Sequence, residues 1–327
     1  WGKGSSFPMK ASTFVSLLLA ATAPLVSALA DEEPVKLKVI DWLVDPLDPA
    51  RNRVVPLKLY VPETDNPVPV VLFSHGLGGS RNNNAYLGQH WAEAGYVAVF
   101  MQHIGSDESV WKDAAPRDRM AAMKAAASGR AALDRLNDVP FVIDQLEKWN
   151  AEEGNPLHGK LDLTKIGMTG HSFGAVTTQG VMGQKVGGFS REEPRLVAFL
   201  PMSPSAHRTN SPADTFGHIT KPVLCMTGTK DASPIDPTTT PESRRGVYAA
   251  LPAGDKYELV FKDGEHHAFG EGGRMGQTQI PHHHPAILQI STAFWNAYLK
   301  GDEKAKAWLA SDGPQKLLVE ADVWAWK

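Results

Sequence analysis

Short apolar runs alternate with helical stretches along most of the chain. The first two runs, 35–43 and 54–61, alternate apolar and polar residues, which predicts partly exposed, antiparallel strands. The later runs are continuously apolar and mostly end near Gly, Ser, Asp or His, which is typical of parallel strands buried on both faces. These later runs lie at 68–73, 96–101, 166–168, 196–200, 223–226 and 257–261.

Stretches with helical spacing or helical propensity separate these runs. They lie at 85–94, 119–136, 138–149, 173–182, 242–251 and 286–299, with Pro140 dividing the second from the third. Strand–helix alternation with right-handed crossovers predicts an α/β fold with a doubly wound, mostly parallel sheet. No long insertion separates 196–200 from 223–226. We therefore expect no large cap domain and an open site.

The first thirty residues have the pattern of a targeting segment. A short positive region begins at Met9, an apolar stretch covers 14–25, and an A-x-A cleavage site lies at 28–30. This pattern predicts a leader over residues 1–30. It consists of a secretory signal peptide at 9–30 and eight extra residues in front of it.

The chain has the composition of an ordinary globular protein. All 327 residues together are 42% hydrophobic and 21% charged, and no linker divides the part after the leader, so 31–327 is predicted to be a single catalytic domain. The net charge is −3 with the two signs mixed, which disfavours nucleic-acid binding. The leader's apolar stretch is interrupted by Pro24, so we expect a secreted or periplasmic protein without a membrane span. An uncleaved anchor is the alternative. The single cysteine, Cys225, lies in an apolar run and is expected in the core.

The candidate nucleophile is Ser172, in the G-x-S-x-G pattern of residues 170–174. An apolar run precedes the pattern and a predicted helix follows it, as a nucleophile elbow requires. The two glycines permit a tight turn that exposes the serine hydroxyl near the helix N-terminus, where backbone N–H groups favour developing negative charge. A plain glycine turn is the alternative interpretation.

An acyl-transfer serine needs a base and an orienting acid, which an open α/β sheet of this type carries at strand ends in the order Ser, Asp, His. Asp231 follows the run at 223–226 and is the candidate acid, with Asp236 as its nearest competitor. His266 and His267 both follow the run at 257–261, and only one of them can be the base. Spacing alone does not choose between the two histidines.

Backbone N–H groups must also stabilise the oxyanion of the tetrahedral intermediate. The N–H of Phe173, directly after the nucleophile, is one candidate donor. The glycine-rich turn at 74–80 follows a buried strand, and Leu77 in it is the second candidate. His75 and Trp111 are candidate residues of the substrate pocket, although an ordinary surface loop around Trp111 is an equal alternative.

Neither a metal nor a cofactor is predicted. Residues 282–284 are three consecutive histidines, and consecutive positions lack the spacing that usually places several ligands on one ion. The proposed acyl chemistry needs no cofactor.

Four short motifs carry a resemblance to a known family. They are S-H-G-L-G-G at 74–79, G-H-S-F-G at 170–174, T-G-T-K-D at 227–231 and G-E-H-H-A-F at 264–269. Together they resemble the plasma-type platelet-activating-factor acetylhydrolases and the related bacterial predicted dienelactone hydrolases. Both belong to the α/β-hydrolase superfamily, and the resemblance covers about 68–309.

The resemblance implies roles for individual residues. Ser172 would be the nucleophile, Asp231 the acid, and Leu77 and Phe173 the oxyanion-hole donors. The G-G-D-H-M-x-F element of the bacterial relatives implies His266 as the base, and Glu265 then matches the acidic residue of that element.

The broader G-x-x-H-x-F form would instead imply His267. Because of the match at Glu265, we take His266 as the candidate base and His267 as the alternative. The cysteine nucleophile of dienelactone hydrolase is absent, which disfavours the dienelactone reaction.

The sequence thus favours a serine carboxylic ester hydrolase that forms an acyl-enzyme. The expected substrate is a short-chain or accessible ester, either a small molecule or part of a polymer. An acyltransferase with the same residues and a non-catalytic binding module are the alternatives. The sequence names neither the natural ester nor the oligomeric state.

Overall fold

The structure is a computed structural model that describes residues 1–2, 4, 36–206, 211–271 and 279–327. Residues 36–327 form one compact unit, to which the description below refers. The predicted signal peptide, 9–30, lies outside the described residues. Within the described part of the chain, no helix is both long enough and apolar enough to span a membrane.

A nine-stranded sheet forms the centre of this unit, in the order β1-β4-β6-β5-β7-β8-β9-β10-β11. Strand β4 is antiparallel to both of its neighbours, β1 and β6, and β11 is antiparallel to β10. All other neighbouring strands are parallel. This confirms the predicted mostly parallel sheet. The strands are β1 (Val39–Val44), β4 (Leu57–Pro62), β5 (Val68–Ser74), β6 (Val97–Met101), β7 (Leu161–His171), β8 (Leu196–Met202), β9 (Val223–Lys230), β10 (Lys256–Glu265) and β11 (Val323–Trp326), and a separate hairpin joins β2 (Leu47–Asp48) to β3 (Arg53–Val54).

The continuous apolar runs are explained by two hydrophobic layers, one on each face of the sheet. In β5, Val70 and Leu72 face one layer, and Val71 and Phe73 face the other; all four are fully buried. Side chains alternate between the faces of a strand, so a strand covered on both sides must be apolar at every position.

Helices cover both faces. They are α1 (Ala85–Glu93), α2 (Ser109–Lys112), α3 (Arg119–Ala126), α4 (Gly129–Ala151), α5 (Phe173–Val181), α6 (Pro212–Phe216), α7 (Pro241–Ala250), α8 (His283–Leu299) and α9 (Glu303–Leu309). Buried residues of α4, α5, α6 and α7 belong to one layer, and buried residues of α1, α8 and α9 belong to the other. The described part of the connection from β8 to β9 holds only the short α6, so no large cap domain lies there.

The prediction that Pro140 divides two helices is wrong. The helix α4 continues through Pro140, and the break comes earlier, where the Ser128 side chain caps the start of α4 by accepting a hydrogen bond from Ala131 N. A proline inside a helix removes one backbone hydrogen bond and costs about 3 kcal/mol. Residues on both sides of it, including Val139 and Val142, are fully buried in the hydrophobic layer, and this burial outweighs that cost.

Candidate active site

The turn between β7 and α5 presents Ser172. Its backbone has φ 58° and ψ −114°, a conformation that side-chain-bearing residues rarely adopt. Close packing explains the glycines on either side of the turn. A Cβ on Gly174 would lie 1.8 Å from the Ser74 carbonyl oxygen, and one on Gly170 would lie 2.5 Å from the Gly174 oxygen. The motif therefore lets the start of α5 approach the end of β5 and holds the serine in a strained, outward conformation.

His266 lies between this serine and a carboxylate. Its Nε2 is 2.8 Å from Ser172 Oγ, and its Nδ1 is 2.7 Å from Asp231 Oδ1. With the Nδ1 proton directed at the carboxylate, Nε2 is free to accept the serine proton. The side chain of His266 is 18% exposed, whereas that of Asp231 is fully buried.

The strand ends bring these two residues together. Asp231 directly follows β9, and His266 directly follows β10. The pairing of these strands shifts register between Phe261 and Glu265, and Asp263 there has φ 57°. Such a bulge bends a strand and redirects the residues that follow it. Here it places His266 opposite Asp231.

The Asp231 carboxylate is held ionised. Burial alone would raise its pKa, but the hydrogen bond from His266 and the charge of Arg244 outweigh burial and lower it. Thr227 Oγ1 donates a further hydrogen bond to Asp231 Oδ2 at 2.9 Å. The buried Arg244 donates through Nε to the Asp231 backbone oxygen at 2.6 Å and through Nη1 to the Ser203 oxygen at 2.8 Å. Arg244 therefore ties the acid to the end of β8.

The competing residues have other partners. His267 does not bridge the serine and the acid; its Nδ1 lies 3.4 Å from Glu265 Oε2. Asp236 accepts hydrogen bonds from Thr238 and Thr239 in its own turn. The geometry thus groups Ser172 with His266 and Asp231.

The two expected oxyanion donors lie beside the serine. Phe173 is the first residue of α5, and Leu77 follows Gly76, whose Cβ position would lie 3.5 Å from Ser172 Cβ. Within the hydrogen bonds of the described chain, neither Leu77 N nor Phe173 N has a backbone acceptor. Both N–H groups can therefore serve a ligand at this point.

His75 and Trp111 occupy places other than the expected pocket. His75 is fully buried beneath the glycine-rich turn, where its Nε2 accepts a hydrogen bond from His103 N at 3.0 Å. Trp111 Nε1 donates to the Gly78 oxygen at 2.7 Å. Both side chains therefore support the turn that carries Leu77, and neither lines the cavities at Ser172.

A family model described as platelet-activating factor acetylhydrolase, isoform II, matches residues 58–132. The chain has an α/β-hydrolase fold and is similar to this family over that segment. The similarity supports a hydrolase of the lipase or esterase type. No curated protein matches the chain significantly.

The matched segment runs from β4 to the beginning of α4 and contains the turn with Leu77. It ends before Ser172, Asp231 and His266, so the roles of these residues rest on their geometry. The expected likeness to dienelactone hydrolases stays a prediction.

Two cavities of this hydrolase meet at Ser172. One, of about 260 Å³, has Met123 of α3 in its wall, and the other, of about 400 Å³, has Val176 of α5 in its wall. Leu77 and Ile235 line both. An ester whose carbonyl carbon lies at Ser172 can thus place its acyl group in one cavity and its alcohol group in the other.

Sequence reasoning missed a buried polar network under the glycine-rich turn. Arg135 Nη1 donates to the His75 oxygen at 2.7 Å, and the Arg135 guanidinium lies 4.4 Å from the centre of the Phe173 ring. Arg135 Nε also donates to Ser106 Oγ at 2.8 Å, and the Ser106 backbone oxygen accepts from Gly78 N at 2.9 Å. One buried arginine therefore contacts both segments that carry the candidate oxyanion donors.

His171 is a second residue without a role in the sequence argument. Its Nε2 lies 2.9 Å from the His266 backbone oxygen, so the neutral ring donates a hydrogen bond there. Burial, followed by the charge of His266, lowers the pKa of His171 to about 3. A ring that stays neutral keeps this donor in place at any pH near neutrality.

Proposed function

We propose that the chain is a serine carboxylic ester hydrolase that acts through an acyl-enzyme. The observation that carries the proposal is His266, whose two ring nitrogens lie within hydrogen-bond distance of Ser172 Oγ and Asp231 Oδ1. A serine, an imidazole and a buried carboxylate in this order are the groups that activate a serine for acyl transfer.

In the first half-reaction, Ser172 Oγ attacks the ester carbonyl carbon while its proton passes to His266 Nε2. Asp231 orients the imidazole and stabilises the imidazolium that forms. The carbonyl oxygen becomes an oxyanion that accepts hydrogen bonds from Leu77 N and Phe173 N. The intermediate collapses, the bond to the alcohol oxygen breaks, and His266 returns the proton to the leaving alcohol.

In the second half-reaction, His266 takes a proton from water as the water oxygen attacks the acyl carbon. The ester bond to Ser172 breaks, the serine recovers its proton, and the carboxylic acid leaves. Every step uses side chains and backbone groups of this chain, so the reaction as proposed calls for no cofactor.

The cavities favour a short acyl group. At about 260 and 400 Å³ they lie at the lower end of the volumes that bind small molecules. We therefore propose short-chain esters, or accessible esters within larger molecules, as the substrate class.

Hydrolysis of p-nitrophenyl esters from acetyl to palmitoyl tests the proposal. We expect the highest kcat/KM for acetyl or butyryl esters and a loss of at least about 10³-fold in Ser172→Ala. A fluorophosphonate probe should label wild type once, on the peptide that contains Ser172. Absence of both hydrolysis and labelling in folded protein would contradict the serine mechanism, and a preference for palmitoyl esters would contradict the substrate class.

A further inference from the structure

A cluster of metal-ligating side chains lies away from the proposed active site, at the start of α8. It consists of His282, His283 and Asp322, the last of which directly precedes β11. One ligand atom from each residue lies within 4.8 Å of the others. None of the three lines the cavities around Ser172.

One nitrogen of the cluster has no hydrogen-bond partner. His283 is 2% exposed, and its Nε2 is buried without a partner among the described residues. Buried polar atoms in native proteins nearly always have a partner, so an orphaned nitrogen here calls for an explanation. The ring is held in place by stacking on Phe261, with the ring centres 4.2 Å apart.

The carboxylate of the cluster is also preorganised. The Asp322 side chain is fully buried, and its Oδ1 accepts a hydrogen bond from Lys262 N at 2.7 Å. Its Oδ2 accepts from Val319 N at 3.2 Å and lies 2.8 Å from His282 Nε2. Among the described residues the ion pairs of Asp322 include no lysine or arginine. A metal ion at this point would give the buried carboxylate a positive partner in addition to the His282 imidazole.

We propose that His282, His283 and Asp322 form a site for one divalent metal ion of the zinc class, with water as the fourth ligand. Two imidazoles and one carboxylate match the ligands that Zn²⁺ accepts, and hydrogen bonds to the ligating carboxylate are typical of such sites. The N-terminus of α8 carries a partial positive charge that disfavours a bound cation. This unfavourable energy is small compared with that of three metal–ligand bonds.

The sequence argument against a metal assumed that consecutive histidines cannot converge on one ion. At the start of α8 the rings of His282 and His283 meet edge to face, with their centres 4.6 Å apart. The third ligand is distant in sequence and arrives with the C-terminal strand. An ion here would join the start of α8 to the loop before β11, whose Asp322 already accepts a hydrogen bond from Lys262 of β10.

Titration of the chelator-treated full chain with ZnCl₂, followed by calorimetry and thermal unfolding, tests the site. We expect one Zn²⁺ per chain, a dissociation constant in the micromolar range or below, and a Tm raised by several degrees, with MgCl₂ giving neither effect. His283→Gln and Asp322→Asn should each weaken binding at least tenfold and abolish the Tm shift.

His284→Gln is the matched control, because His284 is adjacent in sequence and its Nε2 lies instead 3.1 Å from the Gly270 oxygen. This variant should bind Zn²⁺ like wild type. The proposal is overturned if wild type binds no Zn²⁺ stoichiometrically, if folded His283→Gln binds it normally, or if His284→Gln loses it equally. Should Asp322→Asn fail to fold, His282→Gln serves in its place with the same expectation.

Discussion

The described residues contain two constellations of serine, histidine and aspartate with nearly the same hydrogen-bond lengths. In the proposed active site the distances from the His266 ring are 2.8 Å to Ser172 and 2.7 Å to Asp231. The second constellation lies under the glycine-rich turn. There the His103 ring lies 2.9 Å from Ser74 Oγ and 2.9 Å from Asp138 Oδ2. Hydrogen-bond geometry alone therefore does not distinguish them.

Their surroundings differ in three ways. Ser74, His103 and Asp138 are completely buried, whereas Ser172 lines two cavities. Ser74 lies in the regular strand β5, and its Oγ also accepts a hydrogen bond from Arg135 Nη1 at 3.3 Å. No substrate carbonyl can reach it. On the proposed mechanism, a serine therefore needs access and an outward backbone turn in addition to a base.

Asp138, the acid of the second constellation, also differs from Asp231 in its electrostatic role. Asp138 accepts hydrogen bonds from Arg51 and from Arg53, at 2.7 and 2.8 Å. Burial would raise its pKa, but the hydrogen bonds from His103 and Arg53 dominate and lower it to about 2. This carboxylate binds two arginines and a histidine into one unit, and we interpret the second constellation as support for the glycine-rich turn.

The largest expected effect is the difference in kcat between two variants, one at His266 and one at His103. His266→Ala removes the proposed base, so we expect kcat for a p-nitrophenyl ester to fall by at least about 10³-fold, with little change in Tm. His103→Ala leaves buried polar groups unpaired and should lower the free energy of unfolding by about 1–3 kcal/mol. The kcat of its folded fraction should stay within about tenfold of wild type.

The control for His266 is its neighbour. His267→Ala should change kcat by no more than about threefold, because its ring contacts Glu265 and neither Ser172 nor Asp231. An equal loss in His267→Ala, or a 10³-fold loss in well-folded His103→Ala, would show that the assignment of the base is wrong.

Arg135 contacts Ser74 of the buried constellation and the ring of Phe173 beside Ser172, and its replacement should have a smaller effect than that of His266. Arg135→Lys keeps the positive charge but loses the planar fork that binds the His75 oxygen and Ser106 together. We expect a displaced glycine-rich turn and a kcat lower by about 10–100-fold at a nearly constant KM, which is less than the loss of a whole oxyanion donor. Steady-state kinetics on acetyl and butyryl esters measures both constants.

Arg53→Lys provides the comparison for Arg135. Arg53 binds Asp138 in the same network and donates to the Ile104 oxygen, so this change should lower Tm and leave kcat within about threefold. Equal kcat losses in the two variants would mean that Arg135 acts only through overall stability.

The parts of the fold and site that were predictable depend on residues close together in sequence. Buried parallel strands require continuous apolar runs, so β5 to β10 could be found from the local pattern. A nucleophile elbow requires G-x-S-x-G between a strand and a helix, so Ser172 could be found in the same way. Asp231 could be chosen because it directly follows a strand. The histidine could not be chosen from spacing, because the bulge before His266 depends on how β10 pairs with β9.

The missed features depend on residues that only the fold brings together. Arg135 meets the turn that follows Ser74 from a helix some sixty residues later, and Asp322 meets His282 from the end of the chain. Neither arrangement leaves a local motif. The sequence analysis predicts no strand at β11, because four residues are too few for an alternating pattern to stand out. The burial of α4 residues before and after Pro140, which lets the helix continue through the proline, is likewise a property of the assembled core.

The smallest expected effect is a pH dependence of stability from the buried constellation. Burial, followed by the charge of Arg135, lowers the pKa of His103 to about 4, below its ordinary value of 6.5. The unfolded chain then binds more protons than the folded chain between these values. The contribution of His103 to stability is therefore complete above pH 6.5 and is lost as the pH falls towards 4. Between pH 7.5 and 5 this loss should be about 1–2 kcal/mol.

Urea unfolding of wild type and His103→Gln at pH 7.5, 6 and 5 measures this loss. The glutamine cannot titrate, so the variant should be less stable at pH 7.5 but should lose about 1–2 kcal/mol less than wild type on acidification. A remaining slope is expected in both proteins, because the lowered pKa of buried His171 acts in the same direction. If the two curves are parallel, His103 is not a titrating group of the folded core, and the interpretation of His103 as a buried neutral imidazole would have to be abandoned.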